Sequence, residues 1–318
     1  MSRPFYLDCD TGVDDALALG YLLAADAAGD IELVGVGTVC GNIDADRAAR
    51  NTLDLMALAG REAPVAVGAR EYLAGPYPGG VPHIHGRNGV GDVALPAAAT
   101  TPVAASAAEL VVELAERHPG ELEIVAVGPL TNLALALRLE PRLPERVKRL
   151  TIMGGAALVP GNISPVAEAN IYHDAEAAAL VLAAPWPITL VPLDVTLEHV
   201  LDERRRGRLL DSGRPFGAAL GHVLDLYFGF YVDLYGARSC ALHDPLAAAI
   251  AVGGVAATVA PAVPVVVDDS HGPGRGQTIC DLRGQRVGPR DQPGAHVRVV
   301  LRTDRDLGDH LVDRILEL

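Results

Sequence analysis

The sequence predicts an α/β fold: an open, doubly wound, mostly parallel sheet with helices on both faces. Three observations carry this expectation. Short β-branched runs alternate with Ala/Leu-rich amphipathic segments along the chain. Most of the strand runs are apolar throughout, as strands covered on both faces must be. Half of the 318 residues are apolar, enough for a sizeable core. No internal repeat or low-complexity linker stands out, so residues 1–318 are read as one domain. A TIM barrel is the second choice.

The elements follow in order. Phe5–Asp10 is an apolar run ending in acid, and Asp14–Ala25 continues as a helix with two acidic residues at its start. Strand Ile31–Val39 precedes helix Asp44–Ala59, and a short strand, Pro64–Val67, comes next. Tyr77–Val93 is rich in Gly, Pro and His and lacks periodicity, which marks a long surface loop. Helix Ala105–His118, strand Leu122–Val127, helix Leu130–Leu139 and strand Leu150–Met153 repeat the alternation. Helix Asp174–Ala184, strand Ile188–Asp194 and a long helix, Arg214–Tyr235, extend it. Strands Val263–Val267 and His296–Leu301 and helix Arg305–Leu318 complete the chain.

Composition narrows the function. The formal net charge is −14, which is wrong for a nucleic-acid binder, because that needs a clustered basic face. Cys9, Cys40, Cys240 and Cys280 are scattered, with no C-x-x-C pair. They suggest a reducing, cytoplasmic setting rather than a disulfide framework. The N-terminus has no signal-peptide core. The uncharged stretch Pro245–Val267 has the length to span a bilayer, but Gly253-Gly254, Pro261 and Pro264 interrupt it. It reads as a buried helix, a turn and a buried strand, and no membrane partner is expected.

The strongest local signal is Leu7-Asp8-Cys9-Asp10-Thr11-Gly12-Val13-Asp14-Asp15-Ala16, with four carboxylates in eight residues. Asp8 and Asp10, two apart, share one face of a strand. Gly12 lets the chain turn sharply. Asp14 and Asp15 complement a helix N-terminus, but that does not account for Asp8 and Asp10. Gathered carboxylates repel unless protons or a cation neutralise them. Oxygen ligands without nearby Cys or His favour Ca²⁺ or Mg²⁺ over zinc. No EF-hand fits, for no twelve-residue loop with a closing Glu follows. A phosphohydrolase with Asp8 as nucleophile is a rival, with Lys148, the single lysine, as its phosphate holder.

These residues resemble the nucleoside hydrolases, specifically the inosine–uridine-preferring group. The opening motif is similar to that family's D-x-D-P-G-x-D-D-A. Four further motifs follow in the family's order: Gly41-Asn42, His83-Ile84-His85-Gly86, Gly161-Asn162 through Ala167-Glu168-Ala169-Asn170, and His243-Asp244-Pro245. The resemblance runs over nearly the whole chain. It implies hydrolysis of the N-glycosidic bond of a ribonucleoside, of inosine/uridine or pyrimidine type. It implies Ca²⁺ held by Asp10, Asp15, Asp244 and the Val127 carbonyl, together with a water and two ribose hydroxyls. Asp10 would act as general base and His243 as acid to the leaving base. Asp14, Asn42, Asn162, Glu168 and Asn170 match the ribose-holding positions, and His243 and His85 the nucleobase side. Met153, at a strand end, is placed with the substrate-binding set. The family commonly forms dimers or tetramers, so a homodimer or homotetramer is expected.

Each residue has a plain alternative. Asn162 and Asn170 suit turns, Glu168 suits a helix cap, and His243 beside Asp244 suits a core pair. His83, His85 and His173 could ligate zinc. One of His83 and His85 is expected to face the pocket. Tyr231 and Tyr235, four apart on a helix, suit either base contact or ordinary packing. Three departures from the family pattern stand out: Thr11 for Pro, Ala169 for a common Phe, and Ala175 for Pro. The third functional reading is a non-catalytic nucleoside- or sugar-binding protein, against which the intact acid, base and ligand set argues.

Overall fold

The protein is described here from a computed structural model covering residues 2–318. Six strands lie parallel at its centre: β1 (Arg3–Cys9), β2 (Ile31–Thr38), β3 (Val65–Val67), β4 (Leu122–Ala126), β5 (Val147–Met153) and β6 (Ile188–Val191). Their spatial order is β3-β2-β1-β4-β5-β6. Val297–Val299 adds a parallel strand beside β6, and Ala262–Val263 closes that edge antiparallel, making eight strands. From β1 the chain winds one way to β3, then starts again at β4 and winds the other way. The reversal leaves a crevice beyond the carboxyl ends of β1 and β4, where open α/β sheets bind ligands.

The expected doubly wound sheet is therefore observed. Helix α1 (Val13–Ala27), helix α2 (Ala45–Leu58) and helices Pro215–Tyr235, His243–Val252 and Gly308–Ile315 cover one face. Helices Ala107–Arg117, Thr131–Leu139 and Ala175–Ala183 cover the other. Local chemistry sets their ends. The Asp44 carboxylate accepts from Arg47 N at 2.8 Å, and Ser106 with Glu109 forms a reciprocal cap. The buried helix expected near Pro245 is His243–Val252, and among the described residues no helix is long and apolar enough to cross a membrane.

Two boundaries differ because of proline, and one helix is shorter than expected. The strand expected over Val263–Val267 divides at Pro264, which has no N–H to give to a ladder. Ala262–Val263 stays in the main sheet, while Val265–Val267 pairs with Thr278–Cys280 in a separate antiparallel ribbon. The strand expected over Ile188–Asp194 stops at Val191, because Pro192 opens a short helix, Leu193–Thr196. Helix Arg305–Leu318 contracts to Gly308–Ile315. The loop Tyr77–Val93 holds a single helical turn, Pro82–His85.

One side chain joins the strands at the crevice. Asn132 Nδ2 donates to Asp8 Oδ2 at 3.1 Å and to Thr38 O at 3.0 Å, while its Oδ1 accepts from Ala69 N at 2.8 Å. It thus links β1, β2, the segment after β3 and the helix after β4. Tyr6 Oη donates to the same Asp8 carboxylate at 3.1 Å. Losing the amide would strand several buried polar groups at once. Asn132→Ala is expected to lower unfolding free energy by at least about 2 kcal/mol in urea titrations. An unchanged midpoint would contradict this role.

Candidate active site

The carboxyl ends of β1 and β4 and the start of α1 bring most of the sequence-identified residues together. Strand β1 ends at Cys9, and Asp8 before that end and Asp10 beyond it serve different networks. Asp8 is tied to Tyr6 and Asn132, and burial pushes its carboxyl up to about 7. Asp10 turns toward α1 and the loop after β2. Its Oδ2 accepts from Asn42 N at 2.6 Å, and its Oδ1 is buried with no partner. The expectation that the two form one acidic face is corrected: the strand ends between them, and Asp8 stays with the sheet.

Asp15 organises the turn into α1. Its Oδ1 accepts from Asp10 N at 3.1 Å, and its Oδ2 from Gly12 N at 2.8 Å and Asn42 Nδ2 at 3.0 Å. Gly12 has φ −88°, so a strained turn is not what requires glycine there. A Cβ at this position would press on His85 Nδ1 and Asn42 Nδ2. Close approach is the reason, as at Gly41, where a Cβ would collide with the Asp10 carboxylate.

Asp244 enters from the first turn of helix His243–Val252 and is 2% exposed. Carboxylate atoms of Asp14, Asp15 and Asp244 lie within 4.8 Å of one another. Asp14 Oδ1, like Asp10 Oδ1, is buried without a hydrogen-bond partner. Burial, reinforced by the other carboxylates, holds Asp10 and Asp244 well above the usual range and Asp15 at about 7. The one ion-pair contact to these groups among the described residues is His85 Nδ1, 3.9 Å from Asp14 Oδ1. Burial brings that imidazole down to about 3, so it is neutral at pH 7 and supplies no charge. Buried carboxylates without a protein cation are the setting in which a hard metal ion is favoured, and the Asp14, Asp15 and Asp244 group could hold one, whereas Asp10, expected as a ligand, stands outside that trio.

Around the cluster stand the other sequence-identified residues. The Val127 carbonyl accepts from Asn170 Nδ2 at 2.9 Å, and the same amide reaches Met153 O at 3.3 Å and Sδ at 3.4 Å. Glu168 caps the helix Ala169–His173, accepting from Asn170 N at 2.9 Å and Ile171 N at 3.1 Å, and also takes Gly155 N at 3.0 Å. Its plain reading as a cap is therefore real, yet burial raises its carboxyl to about 7 and it lies within electrostatic reach of Asp14. Asn162 is exposed, and its Oδ1 accepts from Ala169 N at 3.0 Å, so it is not part of the buried cluster.

The histidines and tyrosines form one wall. His85 is 5% exposed, accepts from Val13 N at 3.0 Å, and packs 5.2 Å from the Tyr227 ring. His83 is exposed and stands edge-on to Phe230, so His85 is the one facing the site. His173 stacks on Tyr72 instead, and the three histidines form no metal-binding group among the described residues. His243 is 6% exposed, with Nδ1 2.8 Å from Thr196 Oγ1. Tyr231 stacks on Tyr235 at 5.4 Å and meets Tyr227 at 4.9 Å. Tyr227, which bonds Tyr231 through its hydroxyl at 3.4 Å, was not singled out in the sequence. The spacing Tyr227-Tyr231-Tyr235 was the signal that could have found it. Asp8 is enclosed by its own donors, and Lys148 pairs with Glu123 at the amino end of the sheet, so the phosphohydrolase reading has no site.

The family model for inosine-uridine preferring nucleoside hydrolase matches residues 5–307. Uridine nucleosidase 1 of Arabidopsis thaliana is 39% identical over 244 residues, 76% of this chain and 71% of that protein. Inosine-uridine preferring nucleoside hydrolase of Leishmania major is 35% identical over 295 residues, 90% of each. The solved purine-preferring ribonucleoside hydrolase from Gardnerella vaginalis superposes with a TM-score of 0.89 at 30% identity, covering 99% of this chain and 97% of that one. Together with the sheet order and the carboxylate crevice, these place the chain in the inosine–uridine preferring nucleoside hydrolase family, enzymes that cleave the N-glycosidic bond of ribonucleosides to ribose and free base.

Proposed function

We propose that this nucleoside hydrolase is calcium-dependent and of the inosine/uridine or pyrimidine type. The observation that carries the metal reading is the set of buried carboxylates without a protein cation, two of whose oxygens have no partner. Asp10, Asp15, Asp244 and the Val127 carbonyl are the proposed ligands. Asp14 lies in the same reach as Asp15 and Asp244 and would share the site with ribose. Ca²⁺ suits oxygen donors, and when bound it would orient ribose hydroxyls and make a water easier to deprotonate.

The chain's own residues supply the rest. Asn42 N pins Asp10 Oδ2, leaving Oδ1 free to accept a proton from the attacking water. Asp14, Asn42, Asn162, Glu168 and Asn170 are proposed to bind ribose. Of these, Asn162 would have to use its remaining amide donors, since Oδ1 is engaged. Breaking the bond puts positive charge on the sugar, which the surrounding carboxylates stabilise as it develops. His243 serves the departing base, with His85, Met153, Tyr231 and Tyr235 lining that side. The names of the Arabidopsis and Leishmania relatives support uridine and inosine as substrates. The four unpaired cysteines support the cytoplasmic setting.

Asp10→Asn is expected to lower kcat on uridine or inosine by about 10²- to 10⁴-fold, read as released reducing sugar, with little change in melting temperature. Wild-type rates in that variant would remove the base from the scheme. EDTA should abolish turnover, and added Ca²⁺ should restore it. The cation should also raise the melting temperature more at pH 8 than at pH 5.5. The sign follows from carboxyls whose folded pKa is raised, Asp15 and Glu168 to about 7. Their protons stabilise the fold below the unfolded value, and that stability is lost as pH rises through about 7. Ion binding then relieves the repulsion that the protons no longer cancel. A larger shift at pH 5.5 would contradict it. Finally, 2′-deoxyuridine should be cleaved about 10³-fold or more slowly than uridine, since buried sugar-binding groups would be left unpaired. Equal rates would argue against recognition of the 2′-hydroxyl.

A further inference from the structure

We propose that Thr196 is a positioning residue for His243, and through it governs the expulsion of bases that depart poorly. This rests on the reading of His243 as the group serving the leaving base. Thr196 Oγ1 lies 2.8 Å from His243 Nδ1, and the two residues are 0% and 6% exposed. The Thr196 contact engages Nδ1 alone, which leaves Nε2 for a substrate.

The hydroxyl sits on a rigid mount. Thr196 closes the helix Leu193–Thr196, which follows β6 directly, and its backbone N donates to Pro192 O at 3.2 Å. The neighbouring chain is held as well, for Leu242 N donates to His199 O at 2.8 Å just before His243. Helix end and imidazole are thus fixed relative to one another from both sides.

The chemistry of a hydroxyl suits this task. It both donates and accepts, so it can hold Nδ1 bare or protonated. A ring that changes its proton content during turnover therefore keeps one orientation. Without such a partner, rotation about the terminal torsion of histidine is broad and close to two-fold. The imidazole could then turn its carbon edge toward the base, where it can neither donate nor accept. No sequence motif contains Thr196, which lies 47 residues before His243.

The test compares natural nucleosides with 4-nitrophenyl β-D-ribofuranoside, whose leaving group departs as a stable anion without a proton. Thr196→Val and Thr196→Ala are expected to lose about ten- to a hundred-fold in kcat on uridine and inosine. On the nitrophenyl riboside the loss should stay below about three-fold, as help to the leaving group is not needed there. Thr196→Ser should recover most of the nucleoside activity. Melting temperatures establish folding, and the Ala variant serves if the Val variant does not fold. Equal losses on both substrate types would mark a merely structural role and overturn the proposal. So would full activity on nucleosides. His243→Ala separates the two readings. If it keeps nucleoside activity, the assignment of His243 has failed. If it loses activity while Thr196→Val does not, only the role of Thr196 has failed.

Discussion

The concentration of buried negative charge at the carboxyl ends of β1 and β4 governs the rest of the structure. Carboxylates of Asp10, Asp14, Asp15, Glu168 and Asp244 are all nearly inaccessible, and no lysine or arginine pairs with them among the described residues. Ionised together in a low-dielectric crevice, they would cost the fold heavily. Backbone amides carry part of this burden. Asp15 receives two, Glu168 three and Asp10 one. Helix N-termini carry another part, because Asp14 and Asp15 start α1 and Asp244 lies in the first turn of its own helix. What remains is the orphaned oxygen on Asp10 and that on Asp14, which are the free valences of the site.

The sheet makes this concentration possible. Reversal of the winding direction at β1 and β4 is the topological device that brings residues far apart in sequence to one edge. Asp10 and Val127 follow the two central strands, Met153 ends the third, and Asn170 spans from one strand end to the other. The long helix Pro215–Tyr235 and the turn Pro82–His85 then close the crevice with rings rather than charges. The neutral His85 belongs to this wall. Its Nδ1 is spent on Val13 N, which secures the entry of α1 and leaves the carboxylates without a counter-charge.

Much of this was legible in the sequence. Apolar strands covered on both faces announce themselves as uninterrupted β-branched runs, and six parallel strands appear where such runs lie. Asp10 was legible because a carboxylate at the end of an apolar strand has no packing reason to be there, whereas Asp14 and Asp15 also had the start of a helix to account for them. Asp244 was legible because it abuts a long apolar stretch. Features that depend on tertiary contact were not. Nothing local tells that Asp8 and Asp10 part company, since that depends on Asn132 arriving from the helix after β4. The pairing of Thr196 with His243 has no periodicity to betray it. Glu168 carried two meanings at once, and only the fold shows that it caps a helix while standing beside the carboxylates. The break at Pro264 was visible as a residue, but its consequence, a strand shared between two sheets, was not.

Both oxygens of Glu168 are already committed to main-chain donors, one set at the start of Ala169–His173 and one at Gly155 beyond β5. The residue is therefore a rivet between two loops, and replacing it would unfasten both at once. A shorter or neutral side chain at this position would leave those main-chain donors without a partner unless a new clamp joined the two loops. Tyr231 and Tyr235 stand in contrast, for they meet their neighbours ring against ring and clamp no main-chain donor.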